Sequence, residues 1–182
     1  MKLSESELIK EFSKFLIKES LINKDNCHFS GDDEKHADVE LEFHGIDAWK
    51  GMFETKLYIE AKSHHSTDSQ NSINKIFGQL LKETGKRDLD KNKECLAILF
   101  PAESGSWTGS NNKKSTNIDG VGYYRRGFSR IKNDAFVKFG EIVNAKYILS
   151  FSSTKQELEI FLWSTFHNDN AQVAPCLTIA ST

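Results

Sequence analysis

The 182-residue sequence is poor in features that would settle a functional class at once. It has three cysteines, Cys27, Cys95 and Cys176, an odd number set far apart with no C-x-x-C pair. Neither a disulfide framework nor a zinc knuckle is therefore suggested. Cys95 lies within the apolar run ECLAILF and reads as a small core residue rather than a nucleophile. No stretch approaches the roughly 18 uninterrupted apolar residues of a membrane span. The opening MKLSESELIKEF reads as a polar helix start without an apolar leader segment, so a cytoplasmic protein without membrane contact is expected. No G-x-x-x-x-G-K-[ST] phosphate loop occurs, and GSWTG does not set Ser106 where a nucleophile elbow needs its serine. There is no internal repeat, low-complexity tract or linker. The net charge of −2 argues for nothing by itself.

What is present is enough apolar material for one core. Hydrophobic residues make up 38% of the chain and include thirteen phenylalanines. A single domain over 1–182 is expected, with a core over 1–101 and a loop plus C-terminal extension over 102–182. The charge is unevenly placed. Residues 1–60 carry 14 acidic and 8 basic side chains, whereas residues 113–138 carry 2 and 7. Residues 75–93 add 6 basic against 3 acidic. An acidic region facing basic segments suits the joint holding of a metal and a polyanion; solvated faces are the plainer alternative.

Ser4 followed by Glu7 forms a capping box ahead of Leu8, Ile9, Phe12, Phe15 and Leu16, which predicts a helix over 4–19. A short strand is expected within 25–33. HADVELEF alternates strictly, and KLYIEAKS puts Leu57, Ile59 and Ala61 on one face and Tyr58, Glu60 and Lys62 on the other. Ile73, Ile76, Phe77, Leu80, Leu81 and Thr84 predict a second helix from Ile73 to about Lys86, with Gly85 as a stop signal. ECLAILF is a buried strand, 102–120 a long loop, and the tail a helix near 129–144, a strand at KYILSFS and a final apolar segment, ELEIFLWSTF. The expected class is α/β: a mixed central sheet flanked by helices.

Chemistry concentrates on the strands HADVELEF and KLYIEAKS. Asp38 stands near the start of one; Glu60 and Lys62 share a face of the next. If the strands are neighbours, a carboxylate from each converges with an ammonium beside them. Two carboxylates suit a hard cation such as magnesium, with water and substrate oxygens completing its shell. A lysine there can orient or deprotonate a water and stabilise charge on a phosphoryl group. Glu40 and Glu42 share Asp38's face and stay open as alternative ligands.

Ala37-Asp38 in ADVEL, Glu60-Ala61-Lys62 in YIEAKS and a following helix with Gly78-Gln79-Leu80-Leu81 resemble the PD-(D/E)XK nuclease superfamily. The resemblance covers residues 4–101 and departs at Ala37, where many members have proline. It implies a restriction-endonuclease-like core of helix, three strands, helix and strand (αβββαβ). It further implies Mg2+ (or Mn2+) held by Asp38, Glu60 and the Ala61 carbonyl, with Lys62 at the attacking water. Gln79 and an acidic residue of the first helix, Glu5 or Glu11, are implied as neighbours. The expected activity is DNA endonucleolysis, with RNA not excluded and a homodimer, a nickase or a junction resolvase all admissible. The alternative is a catalytically silent nuclease fold kept for nucleic-acid binding or scaffolding.

Backbone contacts to the nucleic acid are expected from Lys75, Lys82 and Arg87, and from Arg125, Arg126 and Arg130 beside Tyr123 and Tyr124. An exposed strand bearing arginines is the plainer reading of that last stretch. His64 and His65 suit a loop role, and Trp107 a base wedge or a loop anchor.

Overall fold

The computed structural model describes residues 3–29, 37–43, 56–63, 69–91, 93–103, 105–108, 114–167 and 173–181. The chain runs α1 (Glu5–Lys18), β1 (Cys27–Phe29), β2 (Val39–Glu42), β3 (Lys56–Ala61), α2 (Ser69–Lys86) and β4 (Glu94–Pro101). It continues with β5 (Gly105–Thr108), β6 (Lys114–Ile118), α3 (Gly120–Phe128), α4 (Asn133–Val143), β7 (Ala145–Ser152), β8 (Glu157–Leu162) and β9 (Leu177–Ala180). Seven strands form one sheet in the order β1-β2-β3-β4-β7-β8-β9. The central β3, β4 and β7 are parallel; all outer pairings are antiparallel. The class is therefore α/β with a mixed sheet, and no helix among the described residues is long and apolar enough to cross a membrane.

Each face of the sheet has its own apolar cluster. On one, Leu8, Phe12, Phe15 and Leu16 of α1 lie over Leu41, Ile59, Leu99 and Phe151. The capping box forms: Glu7 N donates to Ser4 Oγ (3.3 Å) and Ser4 N to Glu7 Oε2 (2.8 Å). The ring of Phe151 meets Phe12 and Phe15 at centroid distances of 5.6 and 5.2 Å. The other face carries α2, α3 and α4 over Tyr58, Ile98, Phe100 and Ile148. There Trp163 stacks on Phe136 at 4.5 Å and donates its indole N–H to the Phe136 carbonyl at 2.9 Å. Aromatic pairs of this kind add about 0.5–1.5 kcal/mol beyond the area they bury.

Several expectations change. Residues 102–120 are not one loop, because β5 and β6 pair there as a separate antiparallel hairpin. GVGYYRRGF is a helix, α3, capped by Asp119 Oδ1 accepting from Gly122 N at 2.7 Å. Tyr123 and Tyr124 are buried in its packed face, so they present no stacking surface to solvent. α2 ends at Lys86, as expected, but begins at Ser69, ahead of Ile73, and Leu81 is 56% exposed, outside the apolar stripe. β9, which was not expected, pairs with β8 as the last strand of the sheet. His64 and His65 lie outside the described residues.

Candidate active site

Strand register decides where the carboxylates meet. In the antiparallel pair, Val39 faces Ile59 and Glu40 faces Tyr58. Continuing by one residue sets Asp38 opposite Glu60. Val39, Leu41, Leu57 and Ile59 fill the α1 side, which turns the alternate side chains, Glu40 and Tyr58 among them, toward the α2 side. Asp38 Oδ2 accepts a hydrogen bond from Ala61 N at 2.7 Å, tying the start of β2 to the end of β3. Lys62 N donates to the Leu99 carbonyl at 2.7 Å, carrying the parallel ladder with β4 one residue past β3.

Lys62 is 4% exposed, and its ammonium sits amid the carboxylates. Nζ lies 4.0 Å from Asp38 Oδ2, 4.0 Å from Glu60 Oε2 and 3.8 Å from Glu5 Oε2. It also hydrogen-bonds the Ala61 carbonyl oxygen. Glu5, in the first turn of α1, is thus the acidic residue that reaches this cluster. Glu11 pairs instead with Lys14 of its own helix at 2.7 Å.

The electrostatics follow from burial. Glu60 is 5% exposed, and its carboxyl is pushed up to about 7, first by desolvation and then by the Asp38 charge, with Lys62 pulling the other way. Asp38 is raised too: its desolvation outweighs Lys62 and the Ala61 N–H. Two partly desolvated carboxylates and a backbone carbonyl form an electron-rich oxygen set that a hard divalent cation fits. Among the described residues no group of three or more His, Cys, Asp or Glu side chains is gathered for a metal. The oxygens gathered about Lys62 Nζ are those of Asp38, Glu60, Glu5 and the Ala61 carbonyl.

A second charged cluster supports the first. Glu83, on α2 and 3% exposed, adds its negative charge to the environment of both Glu60 and Asp38. Arg87 bonds Glu83 and lies 2.6 Å from Glu40 Oε1, with its guanidinium 4.3 Å from the centroid of the Tyr58 ring. Lys86 reaches Glu83 at 2.9 Å. Glu40 is thereby committed to Arg87, and Glu42 to Lys56 at 2.7 Å, which leaves Asp38 as the strand's carboxylate beside Glu60. Gln79 stands one turn before Glu83, and its Oε1 is buried without a hydrogen-bond partner among the described residues. Glu83 escaped the sequence reading, although it left a signal: it continues the buried row Ile73, Ile76, Leu80 at helical spacing.

The basic residues fall into three kinds. Lys75, Lys82, Arg126 and Arg130 are exposed. Arg125 is half-buried and donates to the carbonyls of Phe166 (3.3 Å) and His167 (3.4 Å), tying α3 to the segment after β8. Arg87 is held by the carboxylates just described. The backbone of Trp107 belongs to β5. Comparison with protein-family models, with characterised proteins and with solved structures finds no match to this chain.

Proposed function

We propose that this chain is a divalent-metal-dependent nuclease of the PD-(D/E)XK type that hydrolyses phosphodiester bonds in DNA. The observation that carries the reading is the convergence of half-buried Asp38 with buried Glu60 and Lys62 at the end of β3. The chain order α1-β1-β2-β3-α2-β4 is consistent with it.

In this reading Asp38, Glu60 and the Ala61 carbonyl hold Mg2+ or Mn2+. When bound, the metal supplies neutralising charge at the scissile phosphate and acidifies a water. The protein's own groups do the rest. Lys62 Nζ has three donors, one of them engaged by the Ala61 carbonyl, which leaves two for the attacking water and a phosphoryl oxygen. Burial of Glu60 and Lys62 keeps bulk water from screening that contact, so each interaction acts at low dielectric. Glu5 draws the ammonium from the α1 side. Gln79 offers a buried acceptor to a water hydrogen.

A second reading, a silent nuclease fold that only binds nucleic acid, has one observation in its favour. The Lys62 ammonium occupies the Ala61 carbonyl, one of the three oxygens a metal would use. Cleavage assays separate the two. Supercoiled, linear, single-stranded and branched DNA, with RNA in parallel, are incubated with Mg2+, Mn2+ or EDTA. Metal-dependent cleavage should fall at least about a hundredfold in Lys62→Ala and in Asp38→Asn. A parent that cleaves nothing with either metal, or a Lys62→Ala variant that cleaves at the parental rate, would sink the nuclease reading.

A further inference from the structure

A groove of about 600 Å³ runs along the outer side of α1 beside β1, and the residues lining it at one end include Asp38 and Glu5. Part of its wall is apolar: Ile9, Ile17 and Phe29 line it. Phe29 belongs to β1, the strand at the end of the sheet, and packs only partly against the core below it. Lysines stand along the same groove. Lys10 and Lys24 are exposed, and neither takes part in an ion pair among the described residues, whereas Lys14 is paired with Glu11. Cys27 also lines it, its thiol pushed up to about 12 by burial, so it is a neutral wall group and not a nucleophile.

An apolar wall with ammonium groups beside it distinguishes between forms of a polyanion. A duplex keeps its base faces stacked inside and offers a surface mainly phosphate and sugar, to which Ile9, Ile17 and Phe29 give little. An unpaired strand offers base faces to an aromatic ring and aliphatic side chains while its phosphates reach the lysines. The groove also adjoins the carboxylates, so a strand lying in it leads its backbone to Asp38.

We propose that the α1–β1 groove binds an unpaired stretch of the nucleic-acid strand being cut, with Lys10 and Lys24 on its phosphates and Phe29 under a base. This rests on the nuclease reading for its purpose, although the binding itself can be measured without cleavage. The substrate class it implies is a strand with a single-stranded end, flap or gap next to the scissile phosphate.

The test is fluorescence anisotropy of the full chain with a labelled single-stranded oligonucleotide and its duplex, in EDTA, over a range of salt. Lys10→Gln/Lys24→Gln alters only exposed side chains. It should weaken single-strand binding and reduce the slope of log K against log salt by about 1.4, at about 0.7 per phosphate contact. Phe29→Leu keeps an apolar side chain in place but removes the ring. It should weaken single-strand binding at least about fivefold while leaving the salt slope unchanged. Parental binding and slope in the lysine variant, equal loss of duplex affinity, or parental affinity in Phe29→Leu would each overturn the groove assignment. Heparin competing as well as single strands do would overturn it too, since heparin has no base faces. Cleavage of the same oligonucleotides in Mg2+ is scored separately. A parent that binds through the groove yet cuts nothing defeats the nuclease reading alone; a parent that cuts while both variants bind normally defeats the groove alone.

Discussion

Glu60 gives the sharpest energetic prediction. Its carboxyl is ordinary in the unfolded chain, near 4.5, and is raised to about 7 in the folded protein. Between those values the native state holds a proton that the unfolded state has released. Stability is therefore highest below the unfolded value and falls as pH rises through the folded one. An interval of about 2.5 in pH, at about 1.4 kcal/mol each, corresponds to about 3.5 kcal/mol lost between acid and mildly alkaline solution. Asp38, raised for the same first cause, adds a loss of the same sign. Glu60→Gln keeps the shape of the side chain and removes the charge, so the variant should be more stable than the parent above pH 7. Below pH 4.5 the two should converge. The assay is urea unfolding of both proteins in EDTA at a series of pH values, with the m-value checked for constancy. EDTA matters, because a bound cation would neutralise Glu60 and reverse the effect. Parallel pH–stability curves for parent and Glu60→Gln would refute the argument, showing that the carboxylate is not held against its own desolvation.

Two further outcomes follow from the packing and charge around the site. Arg87→Leu should cost about 3 kcal/mol in the same unfolding assay, because it strips the buried Glu83 and Glu40 of a shared partner. Arg87→Lys should recover only part of that loss, since an ammonium cannot span both carboxylates and stack on Tyr58; full recovery would contradict the geometry. A Cβ at Gly140 would lie 2.6 Å from Trp163 Nε1. Gly140→Ala should therefore destabilise by about 1–3 kcal/mol through overpacking. It should also shift the fluorescence of the displaced Trp163, and an unchanged melting curve would disprove the tight α4–indole contact.

What the sequence made legible depends on how local its cause is. Glu60 and Lys62 are two residues apart, so strand period alone puts them together. The α1 helix was equally readable, because its capping box and apolar stripe are contained within one segment. Asp38 needed a register that no local pattern states: Val39 against Ile59 is a tertiary fact. The choice between Glu5 and Glu11 needed the roll of α1 about its axis, which is set by Phe12 and Phe15 meeting Phe151. α3 was read as an exposed strand bearing arginines because its glycines weaken the helix signal, yet a Cβ at Gly127 would lie 2.6 Å from the Ile73 side chain. The approach of α3 to α2 leaves no room for a side chain at Gly127, so one of the residues that weaken the helix signal is the one that lets the helix dock on α2. The hairpin of β5 and β6 gave no signal because GSWT and KSTNI lack an apolar alternation.

The two charged clusters beside β2, β3 and α2 differ in a way that bears on function. Around Arg87 the network is closed: the guanidinium bonds Glu40 and Glu83 directly, and Lys86 bonds Glu83 at 2.9 Å. Such closure is what a buried structural ion pair needs to repay its desolvation. Around Lys62 the network is open. Its ammonium stands 3.8–4.0 Å from three carboxylates and reaches hydrogen-bond distance of none of them, while its hydrogen bond goes to a backbone carbonyl. Asp38 accepts from a backbone N–H, and Glu60 stays buried with a carboxyl pushed toward neutrality. Stability alone gives no reason to leave charges buried and loosely paired when, on the same patch, the fold gives Glu40 and Glu83 direct ion pairs. An open arrangement is what a site needs if a cation and a phosphate are to enter between its charges, since each unmade short contact is one that ligand binding does not have to break.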